Sequence, residues 1–202
     1  MRKSSFLATA LLFVAAAGVA QHEHHQHKPS ASTAATNAIE RVNIPDVMVR
    51  TQDGRTVHFY RDLIQGKVVA VNFIFTTCTT VCPPMGALFG QLQAAERERL
   101  GRDLFLISVS IDPVVDTPER LAAWGKKFGA KPGWTLVTGD KEDITTILKA
   151  MGVYVPSFQD HQPVTLIGND SAGAWRRVYG FATARKLASL IDEVSVPRTA
   201  RR

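Results

Sequence analysis

From residue 41 to residue 196 the chain alternates short apolar runs with segments whose apolar residues recur at helical spacing. Continuous apolar runs rich in β-branched residues are typical of buried strands, and i, i+3, i+4, i+7 spacing is typical of helices that pack on one side. The predicted strands are 47–50, 56–59, 68–75, 104–109, 134–137, 164–167 and 176–181. Helical spacing is found in 85–92, 121–128, 144–151 and 187–194.

Turn and capping residues separate these elements. Asp53-Gly54 and segment 168–173 each predict a hairpin. Helix-capping side chains are predicted in Asp116–Glu119, at Asp140 and at Thr183. The resulting order is a hairpin, three strand–helix units, a second hairpin and a last helix. It predicts an α/β fold with a mixed sheet, helices on both faces and an N-terminal β-hairpin.

Composition excludes several classes of protein. With 45% hydrophobic and 21% charged residues, the 202-residue chain is globular, and two cysteines cannot staple a disulfide scaffold. No apolar run reaches the roughly 18 residues of a spanning helix, which excludes a polytopic membrane protein. The net charge of +6 comes largely from the two ends of the chain. Without a basic helix face, it does not predict nucleic-acid binding.

The first twenty residues have the pattern of a secretory signal peptide. Arg2 and Lys3 form a basic start, 6–17 is apolar, and Gly18-Val19-Ala20 supplies small residues for cleavage. The alternative is an uncleaved membrane anchor, although the run is short for one. We therefore expect an exported, periplasmic protein, in which a cysteine pair can oxidise.

Residues 21–40 contain a histidine tract followed by a segment rich in Ala, Ser and Thr. The tract carries His22, His24, His25 and His27. Such a composition predicts a disordered linker, and the histidines are either solvated or a weak site for copper, zinc or nickel. The folded domain is then 41–196, and 197–202 is a basic tail.

The two cysteines, Cys78 and Cys82, lie between the central predicted strand and the first long helix. Ligands of open α/β sheets bind at the carboxyl ends of strands, so this position favours a functional site. Pro83 indicates the helix start, where the dipole is expected to favour a thiolate at Cys82. A structural disulfide is the alternative, but closing so short a loop contributes little stability.

The folded part contains two histidines with different predicted roles. His58 lies in the N-terminal hairpin and is interpreted as structural. His161 lies in a polar loop before the strand at 164, a loop that neighbours the cysteines in a thioredoxin-like sheet. With the cysteine pair it forms a candidate ligand set, because soft sulfur suits Cu(I) and imidazole nitrogen suits Cu(II).

Three blocks resemble the Sco/SenC family. They are Cys78-Thr79-Thr80-Val81-Cys82-Pro83, then Ser110-Ile111-Asp112-Pro113 with Asp116-Thr117-Pro118, and then Asp160-His161. The resemblance spans residues 41–195 and implies a thioredoxin-like fold that binds one copper ion, as Cu(I) or Cu(II), through Cys78, Cys82 and His161. It also implies a role in delivering copper to the dinuclear copper centre of cytochrome c oxidase, or in maturing that centre.

The resemblance leaves other activities open. Thr79-Thr80 stands where many members of the family have Pro-Asp. Pro163 resembles the cis-proline of thioredoxins, and we therefore expect a cis Gln162-Pro163 bond facing the cysteine pair. Both departures leave room for thiol–disulfide exchange by Cys78 and Cys82 on a periplasmic partner, with a thioredoxin-like reductant. A peroxidase is a third hypothesis, because Thr79 lies three residues before Cys82. Asp112, Asp160 or a backbone carbonyl is expected to accept the second N–H of His161. No small-molecule substrate is indicated.

Overall fold

The computed structural model describes residues 42–157 and 160–196. They form seven strands and five helices. In chain order these are β1 (Met48–Thr51), β2 (Thr56–His58), α1 (Phe59–Leu63), β3 (Val68–Ile74), α2 (Cys82–Ala95), β4 (Leu104–Ser110), α3 (Pro118–Lys127), β5 (Trp134–Thr138), α4 (Lys141–Ala150), β6 (Val164–Asn169), β7 (Ala174–Tyr179) and α5 (Ala184–Ser195). The signal, linker and tail predicted at 1–20, 21–40 and 197–202 lie outside the described residues, as does the histidine tract.

One mixed sheet contains all seven strands, in the order β2-β1-β5-β4-β3-β6-β7. The three central strands β5, β4 and β3 are parallel, and each outer neighbour pairs antiparallel. The hairpins β1–β2 and β6–β7 form the two edges. The predicted mixed sheet with an N-terminal hairpin is confirmed.

Helices cover both faces of the sheet. Buried side chains of α2, α3 and α5 pack with one face of the central strands, and those of α4 pack with the other. Alternate residues of β3 enter the two cores, so that Ala70 and Ile74 lie on the α2 side while Val69 and Val71 lie on the α4 side. This double coverage explains why β3 is apolar in sequence at every position except Asn72, which is buried as well.

Local predictions differ from the structure in three places. Helix α1 was not predicted, because five residues are too few to show a helical period. Strand β7 begins at Ala174 rather than at residue 176. Thr183 caps α5 as predicted, whereas Asp140 stands at the start of α4 without a capping hydrogen bond from its side chain.

The predicted cis bond between Gln162 and Pro163 is wrong. None of the peptide bonds in 42–157 and 160–196 is cis. The chain runs extended from Pro163 into β6, and the Pro163 carbonyl accepts the Gly180 N–H at 2.8 Å. The trans form is also the lower-energy state of an ordinary X–Pro bond.

None of the helices within the described ranges is both long enough and apolar enough to span a bilayer.

Candidate copper and thiol site

The cysteines lie where β3 passes into α2. Cys78 is half-buried in the connecting loop, and its N–H donates to the Phe75 carbonyl at 3.2 Å. Cys82 is the first residue of α2 and is 2% exposed. Two prolines follow it in the first helical turn, where their missing N–H groups leave no bond unmade. The predicted helix start at this position is confirmed.

The Cys78 sulfur takes the place of a helix cap. Val81, at the N-cap position of α2, makes no capping hydrogen bond with its side chain. The Cys82 N–H donates instead to the Cys78 sulfur at 3.3 Å. The Thr80 hydroxyl lies 3.9 Å from the same sulfur. Both cysteines are free thiols.

The pKa values of the two thiols are shifted in opposite directions. Burial raises the pKa of Cys78, but hydrogen bonds with Cys82 and Thr80 outweigh it and leave the pKa below its ordinary value. Burial raises the pKa of Cys82 strongly, and the neighbouring Cys78 raises it further. The expectation that the helix terminus favours a thiolate at Cys82 is therefore wrong. The Cys82 side chain packs into the core. The N–H group at the start of α2 donates its hydrogen bond to the Cys78 sulfur instead.

His161 is buried, and one ring nitrogen is unpaired. It is 7% exposed, and its ring centroid lies 6.1 Å from that of Phe73. Burial lowers the pKa of His161, which keeps the imidazole neutral near pH 7 and able to bind a metal. Its Nε2 has no hydrogen-bond partner among the described residues, so neither Asp112 nor Asp160 accepts from that atom.

Cys78 and His161 line one open cleft of about 440 Å³. The remaining lining residues are Phe75, Thr77, Thr79, Thr80, Val81, Gln162 and Pro163. Cys82 is not in the lining, although its backbone bonds to the Cys78 sulfur. Within residues 42–157 and 160–196, no three His, Cys, Asp or Glu side chains are grouped closely enough to hold a metal ion. The donors suit copper chemically, and they must converge to bind it.

Two buried acidic residues, Asp112 and Asp116, follow β4 and differ in their hydrogen bonds. Asp112 is 9% exposed, and burial and then the charge of Asp116 raise the pKa of its carboxyl. Asp116 is 1% exposed and accepts hydrogen bonds from Thr76 and Ser110. Sequence reasoning interpreted Asp116 as part of a helix cap. In the structure Thr117 caps α3, accepting from the Arg120 N–H at 3.4 Å.

His58 lies away from the cysteines, and the Thr79–Cys82 pair does not have the features of a peroxidase site. His58 contacts Asp46 and Arg61 at the hairpin, which agrees with a structural role. Thr79 is exposed while Cys82 is buried with a raised pKa. A peroxidase needs an accessible, acidic thiol, so the peroxidase hypothesis is not supported at Cys82.

The mixed sheet, with its cysteine pair at the start of the helix after a central strand, defines a thioredoxin-like protein. The SCO1/SenC family model matches residues 48–174, and the chain belongs to that family.

Two curated relatives and one solved structure illustrate the similarity. The "SCO1 protein homolog" of Bacillus subtilis strain 168 is 37% identical over 95 residues, covering 45% of this chain and 46% of the relative. The "Putative copper-binding protein" of Stutzerimonas stutzeri is 34% identical over 104 residues, covering 49% and 48%. The chain thus spans about half the length of the curated relatives it matches. The structure of BsSco, a member of the Sco family of cytochrome c oxidase assembly proteins in which a disulfide switch was identified, superposes with a TM-score of 0.65 at 26% identity, covering 78% of this chain and 95% of BsSco.

Proposed function

We propose that this protein is an exported copper carrier that binds one copper ion through Cys78, Cys82 and His161 and passes it to the dinuclear copper centre of cytochrome c oxidase. One observation carries the proposal. The Cys78 sulfur, which accepts the Cys82 N–H, shares a cleft with a buried histidine whose Nε2 has no partner among the described residues, and both thiols are free. The proposal is also supported by the name of the Stutzerimonas stutzeri relative and by the assembly role stated for BsSco.

Each donor has its own part. The two sulfurs suit Cu(I), and the neutral His161 imidazole adds the nitrogen that Cu(II) prefers. Both sulfurs bind as thiolates, so loading releases protons, and most of that cost falls on Cys82 because burial raises its pKa. Cys78, at the cleft, is the first sulfur that incoming copper meets.

Copper titration of the reduced full-length protein tests the ligand set. Cys78→Ser and Cys82→Ser should each abolish tight Cu(I) binding, because one of two soft donors is lost. His161→Ala should weaken Cu(II) far more than Cu(I). His58→Ala is the matched control, because that histidine lies at the hairpin and should leave both affinities unchanged. Equal affinities in wild type and His161→Ala would remove His161 from the proposal.

A second function, thiol–disulfide exchange, is favoured by the acidity of Cys78. A half-exposed thiol with a lowered pKa beside a buried partner is the arrangement of an attacking and a resolving cysteine. We expect Cys78 and Cys82 to form a reversible disulfide, regenerated by a thioredoxin-like reductant. Brisk reduction of insulin by the metal-free protein, unchanged in His161→Ala, would favour exchange over copper transfer.

A further inference from the structure

A network of hydrogen bonds, buried at Ser110 and half-buried at Thr76, joins the cysteine loop to the end of β4. The Asp116 carboxylate accepts the Thr76 N–H at 3.1 Å, the Thr76 hydroxyl at 2.5 Å and the Ser110 hydroxyl at 2.6 Å. The Ser110 oxygen in turn accepts the Asp112 N–H at 3.1 Å. A carboxylate that accepts several bonds away from water makes stronger bonds than neutral groups do.

One peptide unit connects this network to Cys78. The Thr76 N–H and the Phe75 carbonyl belong to the same planar peptide, so fixing one fixes the other. The N–H is held by Asp116, and the carbonyl accepts the Cys78 N–H at 3.2 Å. The Cys78 sulfur then accepts the Cys82 N–H. A continuous chain of bonds therefore runs from Asp116 to both cysteines.

We propose that Asp116 is a positioning residue that, through Thr76 and Ser110, holds the Cys78 loop where the two sulfurs meet. It touches neither sulfur through a hydrogen bond of its own, and its positioning effect passes through the peptide between Phe75 and Thr76. Its charge acts separately, by raising the pKa of Cys82. Copper binding and disulfide closure both need the sulfurs together. A loosened loop therefore disfavours both relative to the open dithiol. The copper half of this proposal rests on the proposed function, and the disulfide half does not.

Strand β4 supplies a matched pair of variants. Ser108 and Ser110 are both fully buried, lie two residues apart on the same face, and each has a side-chain partner. The Ser108 hydroxyl accepts the Trp134 indole N–H at 3.0 Å in the core, whereas Ser110 donates to Asp116. Ser108→Ala thus removes a comparable hydroxyl without loosening the cysteine loop.

The experiment measures two quantities for the full-length protein. They are Cu(I) affinity by competition with a chromogenic chelator, and the Cys78–Cys82 dithiol–disulfide equilibrium against glutathione. Ser110→Ala, Thr76→Val and Asp116→Asn should each weaken copper binding and disfavour the disulfide by about fivefold to tenfold, within reach of a lost bond to a charged group. Thr76→Ser keeps the hydroxyl and should match the wild type, as should Ser108→Ala.

The outcomes separate this proposal from the copper proposal. If the wild type binds no Cu(I) while the disulfide equilibrium shifts as stated, positioning stands and the copper function falls. If Ser110→Ala and Thr76→Val equal Ser108→Ala in both quantities, the positioning role is overturned whatever the copper affinity. If Asp116→Asn does not fold, Ser110→Ala and Thr76→Val still test the positioning role, because neither changes the charge of the protein.

Discussion

The unequal acidity of the two cysteines predicts that a mild alkylating agent will label Cys78 and spare Cys82. The perturbation is iodoacetamide added to the reduced, metal-free protein near pH 7. Only the thiolate reacts, and each unit by which a thiol pKa rises above the pH lowers the thiolate fraction about tenfold. The rate falls by less than that, because a more basic thiolate is also the better nucleophile. The two pKa values lie on opposite sides of the ordinary thiol value.

Accessibility adds to the difference. Cys78 lines the open cleft, whereas Cys82 is 2% exposed beneath it. Together the two effects predict that Cys78 reacts at least about 100-fold faster than Cys82. The assay is quenched alkylation followed by fragmentation of the peptide that contains both residues. Urea-unfolded protein is the control and should be labelled at both positions. Equal labelling in the folded protein, or faster labelling of Cys82, would refute the assignment of the exposed nucleophile.

Three further predictions concern stability. Gly86→Ala should destabilise the protein by about 1–2 kcal/mol in urea unfolding, because the new Cβ would lie 2.5 Å from the Phe128 ring and overpacking outweighs the gain in helix propensity; an unchanged midpoint would contradict this. Burial lowers the pKa of His161, so the unfolded chain takes up the proton at a higher pH than the folded protein does. The free energy of unfolding should therefore fall as the pH drops below about 6.5, and it should fall less in His161→Gln. Parallel curves of unfolding free energy against pH for the two proteins would exclude a contribution from His161. Deletion of residues 21–38 should leave cooperative unfolding intact and lower only the number of weakly bound metal ions.

Regular elements could be predicted because their causes are local. The apolar run at 68–75 and the helical spacing at 85–92 correspond to β3 and α2. Pro83 indicates the start of α2 for a reason that is also local. The N–H groups of a first helical turn have no partner within the helix, so a proline there loses no hydrogen bond. The short helix α1 has no such signal, and its existence depends on Phe59 packing into the core.

The sequence predicts which residues form the candidate site, but it does not predict the chemistry within that site. The positions of Cys78, Cys82 and His161 could be inferred from topology and resemblance, and the structure places Cys78 and His161 on one cleft. The partners of Asp116 could not be inferred, because Thr76 lies 40 residues away and a helix start beside Asp116 offered a simpler local role. The order of the thiol pKa values depends on which sulfur is buried, and that is decided by packing against the core.

The most direct test of the proposed function is X-ray absorption at the copper edge of the full-length protein loaded with less than one equivalent of Cu(I). We expect two sulfur ligands and one nitrogen, at about 2.3 Å and about 2.0 Å by analogy with zinc–thiolate and zinc–imidazole bonds. The nitrogen should be lost in His161→Ala and retained in His58→Ala. A copper ion bound by nitrogen and oxygen alone would contradict the account, as would a sulfur count that stays the same in Cys78→Ser.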